Sequence, residues 1–239
     1  MTEKQYPRCA LCGVKLCENK GAAASAEKPS AENAPPFCAM KLMPEVYEES
    51  LKEYAKDEIG SFARKAAMQE GEGYERLPDG YRTKNTRIEE LIQFSRKCGY
   101  KRLGLAHCGG LAAEAKSLTR ILEANGFEVV SVMCKSGAIP KESLGLDPED
   151  KIAPPEEWES MCNPIAQAMI INRSGVDFAI MLGLCIGHDT LFIKYCEVPM
   201  TVIAVKDRAL GHNPLAALYT SGSYYRRLTG EIDTAGGEV

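Results

Sequence analysis

The stretch 176–189, VDFAIMLGLCIGHD, decides the fold more clearly than any other part of the chain. From Val176 to Leu184 almost every residue is apolar, and the run ends in Cys185 and a turn that contains glycine. A short apolar run bounded by turn residues is typical of a strand that is buried on both faces, as strands are in parallel sheets. The stretch therefore predicts a central strand of an α/β protein.

Similar segments alternate with helical patterns on both sides of this strand. The predicted strands lie at 102–106, 127–133 and 200–205, and the predicted helices lie at 111–124, 164–173 and 190–195. Strands that alternate with helices form parallel sheets that are covered on both faces. The sequence thus predicts an α/β fold with a doubly wound, mostly parallel sheet and helices on both faces. A small Cys-rich segment and two helices precede the sheet, at 44–70 and from a capping box at Thr86 to Cys98.

The chain divides into four predicted segments. They are a Cys-rich metal-binding segment with its linker (1–40), a helical connector (41–85), the α/β domain with a Cys/His site (86–225) and a tail (226–239). The linker at 18–36 is rich in Ala, Ser, Glu and Pro, a composition that predicts flexibility. Four prolines at 138–160 predict an excursion without regular structure inside the α/β domain.

Composition restricts the classes of function. The 239 residues include 45% hydrophobic and 26% charged side chains with a formal net charge of −4, which is ordinary for a globular protein. A slightly acidic chain is not attracted to nucleic acid or to an anionic membrane. The sequence also contains no apolar run of membrane-spanning length, and its first residues lack the apolar core of a signal peptide. We therefore expect a cytoplasmic protein that binds neither nucleic acid nor membrane.

Ten cysteines are the most unusual feature of the composition. Under reducing conditions cysteines form metal sites or redox centres more often than disulfides. Cys108, Cys134 and Cys185 each follow a predicted strand, and Cys162 ends the excursion just before a helix. Because parallel strands end at one edge of a sheet, we expect the four sulfurs to gather there within roughly 4–7 Å of one another. Converging thiolates suit an iron–sulfur cluster or zinc, and the alternative is that these cysteines are small packing residues.

The three histidines fall at the same predicted edge. His107 ends the first strand, His188 follows the third strand, and His212 follows the last strand. Together with Lys135 they are the candidates for catalysis, for metal ligation or for contacts with a small ligand, and the alternative for each is an exposed loop residue. These residues leave open whether the protein is an enzyme.

A second set of cysteines lies near the amino terminus. The spacing Cys9-x-x-Cys12 is typical of a metal-binding turn, and Cys17 and Cys38 complete a set of four across the linker. The set suits zinc or an iron–sulfur cluster, while a redox dithiol and unpaired thiols are the alternatives. The remaining two cysteines, Cys98 and Cys196, are expected to be packing residues.

Four motifs resemble those of the family catalogued as domain of unknown function 1847. They are Cys162–Gln167, Gly183–Asp189, Val205–Arg208 and His212–Leu218. The resemblance extends over nearly the whole chain, from Cys9 to Tyr225, and it implies a Cys-rich bacterial or archaeal protein of a kind often described simply as metal-binding. It also implies importance for the matching Cys, His, Asn and Lys positions. It implies no particular reaction.

These patterns predict a metal-binding protein, foremost an iron–sulfur protein whose cluster at the carboxyl edge of the sheet supports redox, sulfur or small-molecule chemistry. The alternative is a zinc-binding module in which the metal is structural and the rim binds a small molecule or a protein. The expected partner is therefore a small molecule or a redox partner. Metal-free thiol redox chemistry at Cys9 and Cys12 is disfavoured, because no helical pattern that would lower a thiol pKa follows them.

Overall fold

A computed structural model describes residues 5–18 and 30–230. The chain forms two compact units, residues 1–68 and 69–239. Helices of the first unit are α1 (Ala39–Leu42), α2 (Pro44–Tyr54) and most of α3 (Asp57–Glu72). The predicted helix at 44–70 is thus two helices, because Asp57 and Glu58 occupy the first turn of α3, where carboxylates favour a new helix start. Most of the predicted linker, residues 19–29, lies outside the described residues.

The second unit contains the sheet. Its strands are β1 (Tyr74–Leu77), β2 (Gly80–Thr83), β3 (Arg102–His107), β4 (Glu128–Met133), β5 (Phe178–Leu184) and β6 (Met200–Val205). Its helices are α4 (Arg87–Cys98), α5 (Ala112–Ala124), α6 (Pro164–Arg173), α7 (His188–Tyr195) and α8 (Leu215–Tyr219). Across the described ranges, no helix combines the length and apolar character needed to traverse a bilayer.

Strands β3 to β6 form one parallel sheet in the order β4-β3-β5-β6, which confirms the predicted fold class. Every residue of β5 is buried. One apolar cluster joins one face of the sheet to α4 and α5, and a second cluster joins the other face to α6 and α7. Helices therefore cover both faces, which explains why the central strands carry almost no polar residues.

The ends of α4 follow the predicted signals. Thr86 and Glu89 form the reciprocal hydrogen bonds of a capping box, and Gly99 ends the helix in the left-handed region at φ 78°. The antiparallel hairpin β1–β2 was not predicted, because its strands are largely exposed and have no alternation of apolar and polar residues.

The strand order creates a crevice at the carboxyl edge. From β3 the chain passes through α5 to β4 on one side, and it later returns through α6 to β5 on the other side. Connections that leave in opposite directions open a crevice between the carboxyl ends of β3 and β5, where ligands bind in such sheets. Cys108 and Cys185 are the residues that follow these two strands.

Candidate thiol site at the sheet edge

The excursion brings Cys162 back to the sheet, next to Cys134. The Asn163 N–H donates to the Cys134 carbonyl at 2.7 Å, and the Cys134 N–H donates to the His107 carbonyl at 2.9 Å. These bonds hold the end of the excursion against the ends of β3 and β4. The two sulfurs, Sγ of Cys134 and Sγ of Cys162, share a hydrogen bond of 3.7 Å.

Backbone donors surround the sulfurs of Cys108 and Cys134. The Gly109 N–H donates to Cys134 Sγ, and the Gly110 N–H donates to Cys108 Sγ, both at 3.4 Å. Lys206 lies beside them, since a Cβ on Gly110 would stand 3.2 Å from Lys206 Nζ and 3.8 Å from Cys108 Sγ. The two glycines that follow Cys108 therefore let backbone and a cation approach the sulfurs closely.

Cys185 completes the set from the other side of the crevice. It follows β5, is half-buried, and accepts a hydrogen bond from Arg208 Nη2 at 3.1 Å. The charge of Cys185 raises the pKa of Cys162, so Cys185 lies close enough to Cys162 to influence it electrostatically.

The shared hydrogen bond separates the acidities of Cys134 and Cys162. It lowers the pKa of Cys162 to about 7, against the opposing effects of burial and of the Cys185 charge, and Lys135 adds a smaller lowering. The same bond, together with burial, raises the pKa of Cys134 far above its ordinary value. Near neutral pH, Cys162 thus carries a substantial thiolate fraction while Cys134 keeps its proton. The thiolate is the form that attacks electrophiles and binds metals.

The distance between the sulfurs of Cys134 and Cys162 differs slightly from the expected range. The separation of 3.7 Å between the sulfurs of Cys134 and Cys162 is shorter than the predicted 4–7 Å, because the two groups hydrogen-bond directly. It matches the distance of about 3.8 Å between two thiolates on one tetrahedral ion with bonds of about 2.3 Å. Within residues 5–18 and 30–230, however, no group of three or more Cys, His, Asp or Glu side chains has the geometry to hold a metal ion.

A buried glutamine fixes the strand ends beneath the thiols. Gln167 is fully buried, and its Nε2 donates to the carbonyls of His107 at 3.1 Å and Val132 at 2.7 Å. Its Oε1 is buried without a partner among the described residues. The sequence placed Gln167 in a motif but gave it no role. An amide in the apolar first half of α6, between Ala166 and Ala168, was the signal.

A buried carboxylate fixes the excursion. The side chain of Glu159 is 9% exposed and lies 3.4 Å from Lys141 Nζ and 3.8 Å from Lys135 Nζ. It also accepts hydrogen bonds from the N–H groups of Ile152 at 2.8 Å and Ala153 at 3.2 Å. Burial raises the pKa of Glu159, but these bonds outweigh that effect and lower it below the ordinary range. These contacts hold residues 138–160 in place, and we call this segment the pinned loop.

The predicted histidines have distinct surroundings. His107 is half-buried with Nδ1 3.1 Å from the Cys108 carbonyl, which leaves Nε2 unprotonated in the neutral ring. His212 has φ 66°, and its Nδ1 accepts from the Asp207 N–H at 3.1 Å, so its Nε2 carries the proton. His188 is half-buried at the first residue of α7, two residues before the predicted helix start. Only His107 directly adjoins a site cysteine in the chain.

The amino-terminal cysteines also come together. One cavity of about 240 Å³ is lined by all four of them, Cys9, Cys12, Cys17 and Cys38. The Lys15 N–H donates to Cys12 Sγ at 3.4 Å, after a turn in which Lys15 has φ 48°. The Arg8 N–H donates to the Phe37 carbonyl at 3.3 Å and so joins the two stretches that carry these thiols. The set predicted across the linker therefore shares one cavity.

The two remaining cysteines have other partners. Cys196 packs against the core on the α6–α7 face and its thiol donates to the Val198 carbonyl at 3.5 Å, which confirms a packing role. Cys98 is the last residue of α4 and hydrogen-bonds the Tyr100 side chain.

Comparison with known proteins supports the resemblance. The model of a family described as protein of unknown function (DUF1847) matches residues 38–203. The chain belongs to this family. An uncharacterized protein of Methanocaldococcus jannaschii is 38% identical to it over 218 residues, which cover 91% of this chain and 95% of that protein. The DUF1847 match includes all four thiols of the sheet edge and, of the amino-terminal set, Cys38 alone.

Proposed function

We propose that this DUF1847 protein binds a thiolate-ligated metal centre at the carboxyl edge of its sheet, with Cys108, Cys134, Cys162 and Cys185 as the ligands. One observation carries the proposal: the sulfurs of Cys134 and Cys162 lie 3.7 Å apart at the strand ends. Soft donors at that separation, one of them with a substantial thiolate fraction near neutral pH, are suited to a soft metal.

An iron–sulfur cluster is the leading form of this centre. A cluster is held by cysteine thiolates, and four cysteines at the ends of β3, β4 and β5 and before α6 could supply them. When bound, the cluster supplies electron transfer or an open iron for Lewis-acid or sulfur chemistry. The N–H groups of Gly109 and Gly110 would hold its thiolates and, with the cations Lys206 and Arg208, offset their negative charge.

In this proposal, His107 is the residue that transfers protons. The Nδ1 of His107 donates to the Cys108 carbonyl, so its Nε2 has a lone pair for accepting a proton. Lys135, His188 and His212 are the other candidates at the rim.

Zinc is the second form, and the separation between the sulfurs of Cys134 and Cys162 favours it. That separation is the one that tetrahedral coordination of a single ion requires. The metal would then be structural, and the rim would bind a small molecule or a protein.

A second centre is proposed at the amino-terminal cavity. Its four thiols and the N–H···S bond from Lys15 to Cys12 suit zinc or an iron–sulfur cluster equally. The protein is proposed to work in the cytoplasm with a small molecule or a redox partner. The net charge of −4 argues against nucleic acid as that partner.

Purification without oxygen, followed by analysis of iron, zinc and acid-labile sulfide, tests the proposal. Brown protein with iron and matching sulfide supports the iron–sulfur form, whereas colourless protein with stoichiometric zinc and no sulfide supports the zinc form. Protein that carries neither metal, and takes up neither on reconstitution, overturns both.

A further inference from the structure

A second cavity lies next to the thiol site, between α5 and the edge strand β4. It has a volume of about 370 Å³. Four of its residues come from one face of α5, because they are spaced by three or four positions: Lys116, Thr119, Arg120 and Glu123. Ser131 of β4 and His107 at the end of β3 line the opposite wall.

The groove carries more positive than negative side chains. Within the part of the chain that the structure describes, neither Lys116 nor Arg120 forms an ion pair, although Glu123 lies on the same face of the helix. The hydroxyls of Thr119 and Ser131 add neutral donors. Two cations therefore face the cavity against a single carboxylate.

We propose that this groove binds a small organic anion that bears a phosphate or carboxylate group. Arg120 offers the planar fork that recognises such oxyanions with two hydrogen bonds, and Lys116, one helical turn before it, adds a point charge. The volume falls in the lower part of the range of about 300–1,000 Å³ found for small-molecule sites. Glu123, at the far end of the cationic stripe, would accept from a hydroxyl or amino group of the same ligand.

His107 connects the groove to the thiols. Its side chain lines the groove, while its backbone carbonyl accepts from the Cys134 N–H and its ring bonds the Cys108 carbonyl. An anion held by Lys116 and Arg120 would therefore extend toward the thiol site. That the anion is the substrate of the metal centre rests on the proposed function, but its binding does not.

Calorimetric titration of the full-length protein tests the groove, with pyrophosphate as the phosphate probe and citrate as the carboxylate probe. The double variant Lys116→Gln/Arg120→Gln should bind the preferred probe at least about tenfold more weakly, since two charge-assisted contacts are lost. The matched control is Lys194→Gln on α7, an exposed lysine that also has no ion pair among the described residues. Its binding should remain within about twofold of the parent protein.

The outcomes separate this inference from the proposed function. Three results would overturn the proposal that the groove binds an anion. They are no binding of either probe at millimolar concentration, equal binding by the double variant, and equal weakening in the lysine control. Metal content is measured on the same samples. If only the double variant loses anion binding, and the protein never takes up metal, the anion site is supported and the metal centre is rejected. Metal-loaded protein that binds neither probe rejects the groove alone.

Discussion

The two sets of thiols are held by different kinds of structure. At the sheet edge, three cysteines follow strands of a buried parallel sheet, and a pinned loop delivers the fourth. Near the amino terminus, Cys9 and Cys17 are exposed and lie on short 3₁₀ turns without buried residues, and Cys38 lies at the N-cap of α1. Formation of the sheet is enough to position the cysteines that follow strands at its edge. The amino-terminal arrangement has little apolar burial to support it, so a bound metal would contribute much of its stability.

The sharpest test of this contrast removes ligands from one set at a time. Cys9→Ser/Cys12→Ser should abolish the amino-terminal metal and leave the other centre, whereas Cys108→Ser/Cys185→Ser should do the reverse. Metal and sulfide per chain measure both effects, and Cys98→Ser/Cys196→Ser serves as the matched control. If either ligand pair empties both centres, the sets are one site and the comparison fails.

Metal removal should affect the two regions unequally. We expect a chelator to release the backbone amides of residues 5–18 to rapid hydrogen exchange, while amides of β3 and β5 stay protected by the sheet and its two apolar clusters. Hydrogen exchange with mass spectrometry measures both segments in one sample. Equal loss of protection in β3 and β5 would mean that the sheet edge also needs metal to fold.

Replacing Gln167 tests the support of the sheet-edge thiols. Gln167→Met keeps the apolar volume but leaves the carbonyls of His107 and Val132 without this donor. The free energy of unfolding should fall by about 1–3 kcal/mol, the cost of removing a donor from buried carbonyls, although the His107 carbonyl keeps its bond from the Cys134 N–H. Denaturant unfolding measures it, and the amino-terminal metal content should not change. An unaltered midpoint would show that water satisfies these carbonyls instead.

Acid should loosen the pinned loop. Because the pKa of Glu159 is lowered in the folded protein, its stabilising effect is present above the ordinary glutamate pKa and is lost as the pH falls through the folded value. The protection factors of residues 138–160, which are exchange rates corrected for the intrinsic pH dependence, should therefore fall below about pH 4. In Glu159→Gln the loop should already exchange faster at neutral pH and show little further change, whereas Glu157→Gln, on an exposed residue, should behave like the parent.

The smallest expected effect concerns the reactivity of Cys162. In metal-free protein, its alkylation rate should rise through a pH of about 7, because its thiolate accepts the hydrogen bond of Cys134. Cys134→Ala removes that bond, so the rise should move to higher pH and the rate at pH 7 should drop severalfold. Mass spectrometry of iodoacetamide-labelled peptides measures both. A profile that does not move would assign the lowered pKa to Lys135 instead.

Much of this architecture follows from local patterns in the sequence. Apolar runs such as Phe178–Leu184 specify buried strands, and the cap at Thr86 specifies a helix start to the residue. The strand ends in turn place Cys108, Cys134 and Cys185 at one edge. The polar hairpin β1–β2 escaped prediction because packing does not impose a period on exposed strands.

The supporting contacts could not be predicted in the same way. Gln167 bonds carbonyls that lie 35 and 60 positions away along the chain. The role of Glu159 depends on how the excursion folds back on itself, from Lys141 to Ile152. The acidity of Cys162 arises only when the excursion meets β4. Such properties depend on three-dimensional proximity, which no spacing in a single sequence encodes.

The position of Cys162 on an excursion, between two strands that pair with β3, has a consequence for biosynthesis. As the chain leaves the ribosome, Cys108 and Cys134 emerge first, Cys162 follows only after the excursion, and Cys185 comes last, behind β5. Since β3 and β5 are neighbours in the sheet, Cys185 takes its place at the edge beside Cys108 only once this later strand has docked. If the proposed metal centre exists, its ligand set would be incomplete on every nascent chain, and loading of the sheet edge would be confined to chains whose sheet has closed.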